Sequence, residues 1–329
     1  MNLIEKYIAY VRNVRRYSSR TVDVYKDVLR SFYGHSIRND AVSDDDLVAA
    51  LNTSEIRHYV ATCIKDSGLS PKTANLHLSV LSGFCRFLIK EGRLKANPVR
   101  LVPRPKMENR LPVFYKQEAM TEYFASTEYY SSRDALDVFS HDPSTKNSKS
   151  LYKRRLARMV ISLFYGLGLR RSELIGLSIS DIDFGRKVVR VRGKGNKMRE
   201  IPMIPSLCEE LLLYLEAVEV MIERKRSLTE LLLITDTGKG LYPSYVDRLI
   251  KSELSGVEGL TGRKSPHVLR HSLATELLNE GTDLNSIKEL LGHASLAATQ
   301  VYTHNSIAKL KAIYKSAHPR AKSGGKNGD

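Results

Sequence analysis

The chain has 329 residues, of which 42% are hydrophobic and 27% charged, a composition that supports about two folded domains and excludes a wholly disordered protein. Its 52 Lys/Arg outweigh 36 Asp/Glu to a formal net charge of +16, which points to a polyanionic partner: nucleic acid, an anionic membrane face or an acidic protein. No apolar run reaches the ~18–20 residues of a membrane span, and the opening MNLIEKYIAY lacks the apolar core of a secretory signal.

Residues 1–95 read as a small all-helical domain. Ser18-Ser19 precede Val22, Tyr25, Val28, Leu29 and Phe32 at helical spacing, and Gly34 is expected to interrupt that helix. Ser54 is expected to cap the next one, which carries Ile56, Tyr59, Val60 and Ile64, with Gly68 after its end. Ser70-Pro71, a cap followed by a first-turn proline, opens the clearest helix. Ala74, Leu78, Leu81, Cys85 and Leu88 form its apolar stripe, and Gly92 is placed to end it. Segment 96–112, ANPVRLVPRPKMENRLP, holds four prolines and few periodic apolar positions, so it reads as an extended linker. Across 90–116 eight Lys/Arg face two acids, which suits a linker lying along a phosphate backbone.

Helices dominate again from 113, over 117–125, 151–166, 171–177 and 206–223. Between them VVRVRG (188–193) and MREIPM (198–203) alternate apolar and polar residues around Lys194-Gly195-Asn196-Lys197, the pattern of a hairpin. Segment 126–150, rich in Ser, Asp, Lys and Asn, reads as a surface insertion. The Gly/Lys-rich tail after His318 reads as disordered. The fold class is therefore mainly α with a small β-sheet: a helical domain over 1–105 with its linker to about 112, a second domain over 113–317, and a tail over 318–329.

Ionic side chains that interrupt apolar segments are the candidates for chemistry. In LFYGLGLRRSELIGL (163–177), Gly166 and Gly168 break one helix and Arg170 enters at the start of the next, with Glu173 one turn on. An arginine after such a bend can face a phosphate bidentately, or pair with Glu173 at the surface. In SPHVLRHSLATELL (265–278), His267 and Arg270 lie three apart and share a helical face, while Leu269, Leu273 and Leu277 occupy another stripe. In IKELLGHASLAATQVYTH (287–304), a helix ends at Gly292, His293 follows, and Tyr302 sits on a further short helix. His267, His271, His293 and His304 have neither the spacing nor the nearby carboxylates of a closed metal site. Cys63, Cys85 and Cys208 lack CxxC spacing and fit inert thiols in a reducing cytoplasm.

Taken in order, Arg170, the hairpin Lys194, His267-x-x-Arg270, Gly292-His293 and Tyr302 resemble the active-site set of the tyrosine recombinase (phage-integrase) family, within it the Xer-like enzymes. GLRRSELIGL, GKGNKMREIPM, SPHVLRHSLATELL, ELLGHASLAATQVYTH and AHPRA carry the resemblance in the second domain, and SPKTANLHLSVLSGFCRFL with the following Asn-Pro carries it in the first. It spans about 1–125 and 151–320.

The resemblance implies a DNA-binding core-binding domain and an α-rich catalytic domain that form a C-shaped clamp on double-stranded DNA. It implies a site-specific recombinase that cuts and rejoins strands through a 3′-phosphotyrosine, in chromosome-dimer resolution or in integration and excision of a mobile element. Tyr302 would be the nucleophile, Arg170, Arg270 and His293 would hold the phosphate, His267 would assist, and Lys194 would protonate the leaving oxygen, with no metal and no cofactor. The working assembly would be a homo- or hetero-tetramer on paired sites in the cytoplasm, associated with the nucleoid, with a second recombinase or a host accessory protein as further partners. A helix over 306–317 would dock on the neighbouring protomer. Two features depart from the family pattern. The insertion at 126–150 is long and leans towards a mobile-element enzyme, and Arg171 stands where an apolar residue is common, leaving two adjacent arginines to face the phosphate. A type IB topoisomerase-like relaxing enzyme and a non-catalytic DNA-binding regulator are the alternatives on the same scaffold.

Overall fold

Ser70 and Pro71 illustrate how local chemistry builds the first unit. The Ser70 hydroxyl accepts from the Thr73 backbone N–H at 3.2 Å, satisfying one orphan donor of the helix that follows. That helix is α5 (Pro71–Lys90), whose stripe of Ala74, Leu78, Leu81, Cys85 and Leu88 is buried. The computed structural model describes residues 2–36, 43–107, 113–193, 197–260 and 262–292, leaving aside the side chains of 139 and 140. The chain divides into two units, Met1–Leu111 and Pro112–Asp329.

In the first unit α1 (Leu3–Ala9), α2 (Ser19–Ser36), α3 (Asp44–Ala49) and α4 (Thr53–Lys65) precede α5. Leu29, Phe32, Ile56, Tyr59, Leu78, Phe84 and Leu88 close its core. Burial of each such side chain contributes about 1.5–3 kcal/mol. Three expectations need correcting. Gly34 lies inside α2, since one glycine in a helix interior costs only about 1 kcal/mol against the packing of Val28, Leu29 and Phe32. Asn52, not Ser54, caps α4, its side chain accepting from the Glu55 N–H at 2.9 Å. The proline-rich segment is not extended throughout. Pro98–Leu101 form a 3₁₀ turn, Val99 and Val102 enter the core, and Asn75 on α5 donates to the Pro105 carbonyl at 2.9 Å.

The second unit is built around α8 (Lys146–Leu167), following α6 (Gln117–Ser126) and α7 (Arg133–Ser140). From Arg155 to Leu167 every residue of α8 is buried, the signature of a helix surrounded by others. The segment expected as a surface insertion is largely helical: a 3₁₀ turn at Glu128–Ser131, then α7, then the first turn of α8. Its outer residues are exposed, but Leu136 is buried against Ala217, and the Arg155 guanidinium donates to the Ser132 carbonyl. α8 therefore starts earlier than expected and runs through Gly166; only Gly168, left-handed at φ 60°, ends it.

After α9 (Arg171–Ile175) come β1 (Ile182–Asp183), β2 (Val188–Arg192) and β3 (Met198–Pro202), an antiparallel sheet in that order. Val191 pairs with Arg199, Arg192 with Met198, and the Gly193 N–H donates to the Lys197 carbonyl at 2.7 Å, so the two strands of the expected hairpin pair as antiparallel neighbours. α10 (Pro205–Met221), α11 (Pro243–Leu254), α12 (Pro266–Asn279) and α13 (Leu284–Leu291) complete the described residues. The short helix expected to carry Tyr302, the helix over 306–317 and the tail over 318–329 lie outside them.

Gly168 is the tightest backbone point near these elements. A Cβ there would lie 2.5 Å from Leu291 Cδ2 and 3.1 Å from Leu273 Cδ2, on a backbone with positive φ. Gly168→Ala is expected to lower stability by more than about 1 kcal/mol, whereas Gly34→Ala, mid-helix and with nothing within 4 Å of its Cβ, is expected to raise it slightly. Thermal unfolding of the two variants side by side checks the contrast.

Candidate active site

Four elements converge where α8 gives way to α9. The left-handed turn at Gly168 and buried Leu169 deliver Arg170 to the N-cap of α9. The Arg170 backbone N–H donates to Glu173 Oε2 at 2.8 Å, and its Nη1 donates to Glu173 Oε1 at 2.7 Å. This carboxylate neutralises the orphan donors at the helix start. The Arg170 side chain keeps 35% of its surface open to solvent, whereas that of Glu173 keeps 3%. The pair is thus half buried rather than a surface pair. Arg171 turns the other way and pairs with Asp247 on α11, so of the two adjacent arginines only Arg170 joins the cluster.

α12 supplies Arg270. Leu269, Leu273 and Leu277 are buried as expected, and the Arg270 guanidinium is also drawn inward. Its Nη1 donates to the Gly168 carbonyl and its Nη2 to the Leu291 carbonyl at 2.5 Å. Burial, joined by the nearby charges of Arg170 and Arg199 and opposed by Glu173, lowers Arg270 to about 10, so it stays a cation at neutral pH. His267, one turn earlier, is exposed and makes no hydrogen bond among the described residues. The two lie three apart on one helix, as expected, but differ in burial: the guanidinium is inside and the ring is exposed. The buried carbonyls at Gly168 and Leu291 attract the guanidinium, while the first turn of the helix leaves the ring in solvent.

α13 brings the last wall. Asp283 caps it, accepting from the Asn285 and Ser286 N–H groups at 3.0 Å, and left-handed Gly292 at φ 64° ends it as the sequence suggests. Three successive carbonyls at this C-terminus each accept from a different arginine. Leu290 accepts from Arg199 Nε at 3.1 Å, Leu291 from Arg270, and Gly292 from Arg170 Nη2 at 2.6 Å. A helix C-terminus carries partial negative charge, so cations belong there. The turn that leads into His293 is thereby held by three guanidiniums.

Arg199 is the residue that sequence reasoning missed. It lies on β3 with 7% of its side chain exposed, and it grips Glu173 through both oxygens, Nη1 to Oε1 and Nη2 to Oε2, each at 2.9 Å. The available signal was parity. In MREIPM the arginine shares the inward face with Ile201, where alternation calls for an apolar residue. Burial alone would raise the Glu173 carboxyl; the donors from Arg199 and Arg170 overcome it and hold the group at about 2. Arg170 and Arg270 are thus brought together, His267 is exposed in the first turn of α12, and Lys194, His293 and Tyr302 lie outside the described residues. Among the described residues no group of three or more His, Cys, Asp or Glu could hold a metal ion, and no helix is long and apolar enough to cross a membrane.

Comparison with known proteins bears on the same residues. Residues 139–309 match the phage integrase family, and residues 4–92 match the phage integrase N-terminal SAM-like domain. The tyrosine recombinase XerC of Chlorobaculum parvum is 32% identical over 327 residues, covering 97% of this chain and 94% of the relative. That of Bacillus subtilis is 32% identical over 321 residues, covering 97% of each. Among solved structures, the XerH site-specific recombinase bound to palindromic difH substrate aligns with a TM-score of 0.65 at 18% identity, covering 98% of this chain and 82% of that one. The Tn1549 transposon integrase in complex with circular intermediate DNA aligns with a TM-score of 0.60 at 20% identity, covering 95% and 99%. With both of its units matched and near-complete coverage at this identity, the chain belongs to the phage integrase family of tyrosine recombinases, the enzymes that break and rejoin DNA.

Proposed function

We propose that this recombinase binds double-stranded DNA and exchanges strands at a specific site, with Arg170 and Arg270 gripping the phosphate that Tyr302 attacks. The observation that carries the reading is the convergence of those two arginines, which lie far apart in the chain, on the turn immediately before His293. A neutral phenol, with a reference pKa of ~10, is a weak nucleophile and needs help to lose its proton. His267 accepts that proton or supports the phosphate contacts. As the phenolate oxygen bonds to phosphorus, negative charge grows on the nonbridging oxygens, and fixed guanidiniums with a hydrogen bond from His293 stabilise it. The bond to the 5′-oxygen breaks, Lys194 supplies that oxygen with a proton, and a 3′-phosphotyrosine remains. A 5′-hydroxyl of the partner strand reverses the chemistry and releases Tyr302. The ester conserves the energy of the broken linkage, so no nucleotide cofactor is required.

The near-full-length similarity to XerC recombinases supports an Xer-type enzyme acting in chromosome-dimer resolution over a mobile-element integrase. Four protomers on paired sites, of one or two kinds, form the working assembly, and the chain segment 306–317 docks on a neighbouring protomer.

The test is a nicked suicide duplex bearing the target site, incubated with purified protein in the presence of a chelator, followed by mapping of the DNA-linked peptide. The adduct is expected on the peptide that contains Tyr302. Tyr302→Phe is expected to abolish adduct formation and leave DNA binding intact. An adduct that persists in the Phe variant would falsify the assignment.

A further inference from the structure

We propose that Arg199 is a positioning residue of the cleavage site, clamping Glu173 and the C-terminal turn of α13 so that Arg170 stays aimed at the reacting phosphate. The inference rests on the reading of the site above and extends it to a residue that touches no reacting atom.

Its geometry leads to that role. The Arg199 guanidinium sits between two parts of the site and bonds to both: the Glu173 carboxylate through Nη1 and Nη2, and the Leu290 carbonyl through Nε. Each partner has a second task. Glu173 fixes the Arg170 backbone N–H and Nη1, while the turn after Leu290 holds Arg270 and Arg170 through its next two carbonyls. Removing Arg199 therefore loosens Arg170 from both sides at once.

One glycine makes room for the clamp, and a second lies in ordinary contact distance of it. A Cβ at Gly292 would lie 3.1 Å from Arg199 Nη1, and one at Gly193, where the hairpin closes, would lie 3.6 Å from the same nitrogen and 3.7 Å from Glu173 Oε1. The stem of the hairpin that leads to Lys194 thus rests on the Arg199–Glu173 pair. A buried ion pair on the inward face of a strand is a poor source of stability compared with an apolar residue of similar size. Here the pair holds the two halves of the site in register.

Among the described residues the charged groups facing Glu173 are Arg170 at the N-cap of α9, Arg199 on β3 and Arg270 on α12, while from α11 Asp247 is engaged by Arg171. Without Arg199 the buried carboxyl keeps fewer donors and takes up a proton more readily, which releases Arg170.

The experiment uses full-length Arg199→Gln and Arg199→Lys proteins on the suicide duplex, with adduct rate, DNA affinity and thermal unfolding measured across pH. Arg199→Gln is expected to bind DNA as wild type does and to form the adduct roughly ten- to a hundredfold more slowly. Its deficit is expected to deepen as the pH falls from about 8 to about 6, and Arg199→Lys to recover part of the rate at the higher pH. A folded Arg199→Gln protein that cleaves within about twofold of wild type at every pH overturns the proposal. So does a loss by one constant factor across pH in both variants. If Arg199→Gln does not fold, Arg199→Lys carries the comparison alone, and a wild-type rate across pH overturns the proposal. Failure of the wild-type protein to form any adduct would instead strike the reading of the site itself.

Discussion

Arg170→Ala is expected to slow covalent DNA cleavage by about a thousandfold, while Arg171→Ala leaves it within a few-fold of wild type. The two residues are adjacent and chemically identical, so the contrast isolates placement. Arg170 shares its guanidinium between Glu173 and the Gly292 carbonyl and keeps a face open, where a phosphate oxygen can meet a cation that is already oriented. Removing a preorganised donor from a developing oxyanion costs about 3–4 kcal/mol of transition-state stabilisation, and a thousandfold corresponds to about 4. Arg171 spends its charge on Asp247, in a pair with 32% and 46% of the two side chains exposed. Such pairs contribute about 0–1 kcal/mol to stability and have no path to the phosphate. Single-turnover adduct formation at saturating protein separates chemistry from binding: the Arg170→Ala deficit is expected in the rate of the bound complex. The reverse pattern, with Arg171→Ala crippled and Arg170→Ala active, would assign the phosphate to the other arginine.

What made Arg170 legible in the sequence was its setting: a glycine bend at the end of an apolar helix, then a charge, then an acid one turn on. The structure realises each step, from left-handed Gly168 to the Glu173 oxygen on the Arg170 N–H. Arg270 stood out as a cation on a leucine-striped helix, but that pattern did not foretell its burial against the Gly168 and Leu291 carbonyls. Arg199 escaped because its partners leave no trace in the sequence. Two of its acceptors belong to a glutamate 26 positions away and the third is a backbone carbonyl 91 positions away. The same blindness to tertiary partners explains the errors in the fold. Four prolines hid the fact that Val99 and Val102 are apolar and find a core. Segment 126–150 lies largely at the surface; what its polar run hid is one well-placed leucine, Leu136, and an arginine on α8 that reaches back to the Ser132 carbonyl. At the start of α4 Ser54 could not be the cap, because helical geometry already begins at Thr53 and Asn52 precedes it.

Glu173→Gln is expected to destabilise the second unit by about 3–5 kcal/mol above pH 5, and the loss is expected to fade in acid. The carboxylate accepts four hydrogen bonds, two from Arg199 and two from Arg170, with 3% of its side chain exposed. A glutamine of the same shape offers one acceptor and turns an N–H₂ towards donors that have nothing to accept. It also leaves Arg199, itself 7% exposed, without a counter-charge. The pH dependence has a definite sign. Glu173 is held at about 2 against an ordinary 4.5, so its charge stabilises the folded state fully above 4.5. That contribution, about 3 kcal/mol from the size of the shift, drains away as the pH falls from 4.5 towards 2. Thermal unfolding of wild type and variant at stepped pH reads both numbers: a gap of several degrees at neutral pH that narrows through the acid range. A gap of constant size at every pH would assign the loss to shape rather than charge. The ion pair at the base of the site would then be a packing element that happens to be ionic, and the three arginines on the α13 turn would owe their alignment to the carbonyls alone.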